Sequence, residues 1–108
     1  MYIAMNHFSV AAGRGPDFEK VWRERDSYLE NVPGFIRFHL VRGKDRDDGT
    51  HRYASHSTWR DRAAFVDWTH SDAFKRAHAQ GGMPDGVLLA HPQFQGWEAV
   101  DLQDSSSG

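Results

Sequence analysis

Residues 35–59, FIRFHLVRGKDRDDGTHRYASHSTW, decide the fold of this 108-residue chain. Two segments within them, Phe35–Arg42 and Arg52–Trp59, are rich in aromatic and β-branched residues, which favours β-strands. The polar run between them, Gly43–Gly49, lacks the spacing and the closing glutamate of a calcium-binding loop, and is typical of a solvated hairpin turn. The stretch therefore predicts two strands joined by a hairpin in the middle of the chain.

One strand and one helix are predicted before this hairpin. The first ten residues are largely apolar and end at the turn Gly13–Pro16, which indicates a strand. Side chains then recur at helical spacing as far as Val32, and Arg25 is the one charged member of the series. Its apolar members are Phe18, Val21, Trp22, Leu29 and Val32. The sequence Asn31–Gly34 is expected to end this helix.

A broken helix is predicted after the hairpin. Asp61 is placed to cap a helix that runs through Trp68. The polar residues 69–72 interrupt the pattern, and Ser71 is placed to cap a second helical segment that ends near His78. The second helical region is therefore predicted to consist of two short helices.

Residues 92–102 include further apolar residues and are predicted to form a last strand. The order β-α-β-β-α-β predicts an α+β, ferredoxin-like sandwich with an antiparallel sheet. We expect a single domain over residues 1–102 and a disordered tail over residues 103–108, which are polar and small.

The second face of such a sheet needs a cover, because its helices cover only one face. The strand 35–42 is expected to carry apolar groups on both faces: Phe35 and Val41 on one, and Ile36, Phe38 and Leu40 on the other. Apolar area of this extent is typical of an interface between proteins. We therefore expect a homodimer in which two sheets pack face to face.

Composition excludes several function classes. Lysine and arginine number 13 against 15 aspartate and glutamate, a net charge of −2, so binding to nucleic acid is not expected. No apolar run approaches the roughly 20 residues that span a bilayer. The chain has no cysteine, which excludes disulfides and thiolate metal sites and suits a reducing compartment. We expect a cytoplasmic protein with no membrane partner.

Seven histidines raise the question of a metal site, but none forms a zinc-binding motif with a second histidine. His51 lies beside the third strand and is expected at the surface or in a dimer contact. His78 shares a helix face with Phe74, four residues earlier. Asn6 in a strand and Trp68 in a helix are, taken singly, typical of core positions. Each of these residues alone favours a structural role.

Taken together, Asn6, Trp68 and His78 make the chain similar to a known family of enzymes. The chain resembles the IsdG-type haem-degrading monooxygenases of the antibiotic-biosynthesis-monooxygenase superfamily from Met1 to about Leu102. These enzymes have an asparagine in the first strand, and a tryptophan and a histidine ten residues apart in the second helical region. Asn6, Trp68 and His78 match all three positions, while His7 stands where relatives often carry an arginine.

The resemblance implies a dimeric α/β barrel and an enzyme that opens the porphyrin ring of haem oxidatively and releases iron. Haem would be substrate and cofactor, with O₂ and electrons from a separate reductase or a small reductant. His78 would be the axial ligand of the haem iron, Asn6 would donate a hydrogen bond to the iron-bound ligand, and Trp68 would push the porphyrin out of plane. The haem propionates are anionic, and Arg76 and Lys75 are the cations to consider for them, although exposed cations on a helix are usually solvated.

Three alternatives stay open from the sequence. The first is a cofactor-free monooxygenase of the same fold that acts on an electron-rich aromatic such as a quinol. The second is a haem carrier or sensor that binds haem without turnover. The third is a small dimeric interaction protein without a ligand.

Overall fold

The computed structural model describes residues 1–25, 27–78 and 82–102. Its elements are β1 Tyr2–Val10, α1 Gly15–Glu24, β2 Phe35–Arg42, β3 His51–Trp59, α2 Arg62–Thr69, α3 Asp72–His78 and β4 Gln93–Glu98. The four strands form one sheet of order β2-β3-β1-β4, and every neighbouring pair is antiparallel. The predicted ferredoxin-like α+β architecture is confirmed. The predicted tail, residues 103–108, lies outside the described residues.

The core lies between the helices and one face of the sheet, which we call the inner face. One buried cluster comprises Tyr2, Ala4, Leu29, Trp59 and Ala64. A second comprises Phe8, Val10, Phe18, Tyr53 and Val87. Alternation along β1 places Asn6 on the same face, between Ala4 of the first cluster and Phe8 of the second. A polar side chain thus lies at the gap between two apolar clusters.

The predicted helix through Val32 is wrong in its second half, because α1 ends at Glu24. Arg25 has extended backbone angles (φ −79°, ψ 135°), and Tyr28 adopts a left-handed φ of 55°. Leu29 and Val32 pack into the first core cluster from the loop that follows. Their apolar spacing therefore reflects burial rather than helix.

The predicted alternation of β2 is also wrong at its start. The register of β2 against β3 shifts just after Phe35, as at a β-bulge. As a result, the Phe35 ring packs edge-on against Trp59, with 5.5 Å between ring centroids, and Phe38 joins the same core cluster. Ile36 lies between them in sequence and is 47% exposed. Phe35 and Phe38 thus share the inner side instead of facing apart.

The predicted break in the second helical region is confirmed. The Asp61 carboxylate accepts a hydrogen bond from the Ala64 N–H at 2.8 Å and caps α2. The Ser71 hydroxyl accepts a hydrogen bond from the Phe74 N–H at 3.1 Å and donates to the Trp68 carbonyl at 2.6 Å. One side chain therefore ends α2 and begins α3, which fixes the relative positions of the two segments.

A polar cluster holds the β1–α1 turn to the β2–β3 hairpin. His51 is buried, its Nδ1 donates to Asp45 at 2.9 Å, and its Nε2 accepts the Gly13 N–H at 3.2 Å. The hydrogen bond from His51, and then the one from Arg42, hold the pKa of Asp45 below its usual range. The expectation of a surface or dimer-contact role for His51 is wrong, because its side chain is buried. Its backbone partner, Gly13, lies 38 residues away in sequence, so local spacing did not indicate the contact.

The opposite face of the sheet, which we call the outer face, carries a mixed apolar and imidazole surface. Trp97 of β4 pairs with Ile3 of β1 and is 54% exposed, while Val41 of β2 is 40% exposed. His7 Nε2 and His56 Nδ1 are buried nitrogens without a hydrogen-bond partner in the described residues. In the described part of the chain, the aromatic contacts of the helices are made with the inner face.

Candidate functional site

A cavity of about 340 Å³ opens between the inner face of the sheet and the three helices. Strand residues Asn6, Ser55 and Ser57 contribute to its polar lining, and Trp68 and His78 line it from the helical side. The structure therefore brings the three residues singled out from the sequence around one cavity. Its size lies in the range of small-molecule sites.

Asn6 is half-buried at the sheet side of the cavity, with Ser55 beside it as its partner on β3. Within the described residues its carboxamide forms no side-chain hydrogen bond. Ser57, by contrast, is engaged: its hydroxyl donates to the Ala4 carbonyl and accepts the Trp59 indole N–H at 2.9 Å. Asn6 thus keeps both its donor and its acceptor for a group in the cavity.

Trp68 is half-buried and belongs to both the core and the cavity wall. Its ring lies 5.3 Å from Trp59 and packs edge-on against Phe74, with 4.8 Å between centroids. Its indole Nε1 is buried and has no hydrogen-bond partner in the described residues. Packing against Trp59 and Phe74 fixes the indole, so that it presents a rigid aromatic wall.

His78 is exposed at the last residue of α3 and lines the cavity. Its Nδ1 lies 2.9 Å from the Phe74 carbonyl, and a carbonyl can only accept, so Nδ1 carries the proton. The Phe74 ring, 4.0 Å away between centroids, holds the imidazole plane. The remaining nitrogen, Nε2, then has a lone pair available to a metal.

Arg25 also lines the cavity, and sequence reasoning did not assign it to the site. Its guanidinium lies 4.8 Å from the centre of the Trp22 ring. The available signal was its place as the one cation in the helical apolar series. Lys75 and Arg76, the cations considered from the sequence, are exposed and do not line this cavity.

Within the described residues, no group of three or more histidine, cysteine, aspartate or glutamate side chains is arranged to hold a metal ion. Nor does this part of the chain contain a helix that is long and apolar enough to cross a bilayer. A single imidazole can hold a metal ion only when the bound molecule supplies the other ligands of the metal.

The family profile described as antibiotic biosynthesis monooxygenase matches residues 1–80. The chain belongs to this family. Heme oxygenase (mycobilin-producing) of Mycobacterium tuberculosis is 36% identical over 77 residues, which are 71% of this chain and 70% of that protein. Heme-degrading monooxygenase of Bacillus thuringiensis is 33% identical over 93 residues, 82% of this chain and 81% of that protein. The resemblance found in the sequence is confirmed.

Another relative of this chain is named for a different substrate. Deoxynogalonate monooxygenase of Streptomyces nogalater is 33% identical over 86 residues, 79% of this chain and 62% of that protein. Among solved structures, the heme-degrader MhuD of Mycobacterium tuberculosis, with two hemes bound in its active site, superposes with a TM-score of 0.72. It is 29% identical, and the match covers 95% of this chain and all of that one. The names of the relatives therefore point to at least two substrate classes.

Proposed function

We propose that this antibiotic biosynthesis monooxygenase family member is a haem-degrading enzyme that opens the porphyrin ring and releases iron. The observation that carries the proposal is the exposed His78 imidazole, whose Nδ1 is engaged by the Phe74 carbonyl, beside a cavity that Asn6 and Trp68 also line. The names of the two bacterial relatives, which are haem-degrading enzymes, support it.

The residues around the cavity fit haem. Haem brings four nitrogen ligands of its own, so one imidazole is enough to attach its iron. The Trp68 indole gives the apolar aromatic wall against which a macrocycle would pack, and Phe74 supports it edge-on. When bound, haem supplies the iron that activates O₂ and the ring that is opened.

Each of the three residues has a distinct task in this proposal. His78 would hold the haem iron through Nε2, with the Phe74 carbonyl keeping the imidazole in the required tautomer. Asn6 would donate its amide N–H into the cavity from the sheet side and orient the reacting group there. Trp68, fixed by its contact with Trp59, would set the shape of the space that the macrocycle occupies.

The reaction also requires O₂ and electrons from outside the chain. We propose a separate reductase or a small reductant as the electron source. The absence of cysteine suits a reducing compartment, and we propose the cytoplasm.

We also propose that the enzyme is a homodimer with the outer faces of two sheets in contact. Exposed Trp97 and Val41 give this face its apolar character. His7 and His56 lie on the same face of the sheet. Two ferredoxin-like sheets packed in this way form the dimeric α/β barrel.

A second candidate is a monooxygenase that needs no cofactor and acts on an electron-rich aromatic such as a quinol. The 33% identity to deoxynogalonate monooxygenase favours it, and the same apolar cavity would hold such a ring. This candidate assigns no task to the free Nε2 of His78.

One titration distinguishes these functions and the haem carrier. Ferric haem is added to the purified protein, and the visible spectrum is recorded before and after ascorbate is added in air. A Soret band that forms and then decays with new product bands supports degradation. A stable band indicates a carrier, and no band leaves the quinol enzyme or an interaction protein without a ligand.

A further inference from the structure

Trp68 and His78 line one cavity from two different helices. Because α2 ends at Thr69 and α3 begins at Asp72, no continuous helix fixes the distance between the indole and the imidazole. The two rings nevertheless lie 6.4 Å apart between centroids, beside the same cavity. The contact that joins α2 to α3 therefore decides where the imidazole lies relative to the indole.

The Ser71 hydroxyl makes this contact. It donates to the Trp68 carbonyl at 2.6 Å and accepts the Phe74 N–H at 3.1 Å, so that one oxygen bonds to the end of α2 and to the first turn of α3. Other side chains that bond to carbonyls of these helices bond to one helix only: Thr69, His70 and His78. In the described part of the chain, only the Ser71 side chain hydrogen-bonds to the backbone of both helices.

The hydrogen bonds continue from Ser71 to the imidazole. Phe74, whose N–H donates to Ser71, accepts Nδ1–H of His78 at its carbonyl, at 2.9 Å. The Phe74 ring packs edge-on against Trp68, with 4.8 Å between centroids, and lies 4.0 Å from the His78 ring. Ser71 itself is half-buried and is not among the described residues that line the cavity. A hydroxyl outside the cavity thus connects the two rings that line it.

We infer that Ser71 is a positioning residue, which holds the Trp68 indole and the His78 imidazole in the relative geometry that ring opening needs. The inference rests on the proposed haem function, in which His78 holds the iron and Trp68 shapes the space for the macrocycle. If α3 shifted against α2, the imidazole would still be able to hold iron, but the indole would lie differently against the macrocycle. A displacement of about 1 Å can lower a rate by about 100-fold, so Ser71 acts on turnover more than on binding.

Substitutions at Ser71 separate its two hydrogen bonds. Ser71→Thr keeps a hydroxyl for both bonds, and Ser71→Ala removes both. Ser71→Asp keeps an acceptor for the Phe74 N–H but has no proton to donate to the Trp68 carbonyl. The matched control is Asp61→Ala, which removes the cap on the Ala64 N–H at the start of α2 and leaves the contact between α2 and α3 in place.

Four quantities are measured for each protein. A thermal melt gives the melting temperature, and an absorbance titration gives the haem dissociation constant. The decay of the Soret band with ascorbate in air gives the rate of degradation. Proton NMR of the haem-free protein gives the nuclear Overhauser contact between the Trp68 indole and the Phe74 ring, which requires no ligand.

Stability and turnover are expected to change independently. Ser71→Ala and Asp61→Ala should both melt roughly 5 °C below wild type, because each loses a helix cap. Ser71→Asp should keep the wild-type melting temperature, because its carboxylate still caps α3. It should nevertheless weaken the Trp68–Phe74 contact and degrade bound haem at least about tenfold more slowly, with haem affinity close to that of wild type. Ser71→Thr and Asp61→Ala should degrade haem at the wild-type rate.

Two results would overturn the positioning role while haem degradation stands. One is a Ser71→Asp protein that keeps either the Trp68–Phe74 contact or the wild-type decay rate. The other is an equal slowing of decay in Asp61→Ala and Ser71→Ala, because the loss of a cap would then be sufficient to explain it. Wild type that does not degrade haem would overturn the proposed function and this inference together.

Discussion

At the scale of single residues, the account depends on which histidine offers a nitrogen to iron. His70 and His78 both direct Nδ1 to a backbone carbonyl four residues earlier, at 3.0 and 2.9 Å. Only His78 of the two lines the cavity. The hydrogen bond therefore does not distinguish the two histidines as iron ligands. Their position relative to the cavity does.

His78→Ala is expected to abolish the normal Soret band of the haem complex and its decay, because the iron loses its ligand from the protein. The fold should persist, since the His78 side chain is exposed. His70→Ala is the matched control and should behave as wild type. An absorbance titration of each variant measures the Soret band, and a thermal melt measures its stability. An unchanged Soret band in His78→Ala would exclude His78 as the axial ligand.

Asn6→Ala is expected to bind haem with a near-normal Soret band and to degrade it about 100-fold more slowly, because one donor to developing charge is lost. Its carboxamide has no side-chain partner in the described residues, so the melting temperature should change little. The decay rate and the melting temperature are measured on the same sample. A destabilised variant that degrades haem at the normal rate would instead give Asn6 a structural role.

The residues of the site were predictable to different degrees. Asn6, Trp68 and His78 lie far apart in sequence, and only the resemblance to known enzymes joined them. Arg25 was visible as a charge in an apolar helical series. Its place at the cavity wall could not be predicted, because it depends on the residue at which α1 ends. Helical spacing does not predict that residue.

At the scale of elements, side-chain caps position the pieces that carry Trp68 and His78. Caps were readable from the sequence, since Asp61 and Ser71 precede helical patterns directly. The end of α1 and the bulge in β2 were not. They depend on core contacts of Leu29 and Phe35 with residues of distant strands, which local spacing does not encode.

The cap of α2 predicts a pH dependence of stability. The Ala64 N–H, and to a lesser extent Arg60, hold the pKa of Asp61 below its usual range. The ionised carboxylate therefore stabilises the fold above the unfolded pKa of about 3.9, and this contribution is lost as the pH falls through the lower folded pKa. Thermal melts of wild type and Asp61→Asn between pH 6 and 3 test this. The difference in melting temperature should shrink on acidification; a constant difference would contradict it.

At the scale of the whole molecule, the described residues include buried nitrogens without hydrogen-bond partners on both sides of the sheet. Those on the inner side belong to Trp22, Arg25 and Trp68, which line the cavity with other atoms. Those on the outer side belong to His7 and His56. We propose that the inner side binds the ligand and that the outer side packs against a second chain, so that the sheet would separate two recognition surfaces.

Light scattering is expected to give twice the chain mass of 12.3 kDa at micromolar concentration. Trp97→Lys should shift the protein toward the monomer, because it places a charge in the apolar outer face. Ala63→Lys adds the same charge at an exposed position of α2 and should leave the dimer intact. A wild-type protein that scatters as a monomer would contradict the proposed assembly.

We propose that the chain opens the ring of the haem bound at His78 and releases its iron. The most direct measurement follows one equivalent of bound haem in air with ascorbate and catalase, and records Soret absorbance and chelatable iron on the same sample. We expect the Soret band to disappear and iron to appear together, in equal amounts, and both changes to be slower in Asn6→Ala. A Soret band that persists in wild type, or one that fades without releasing iron, would contradict it.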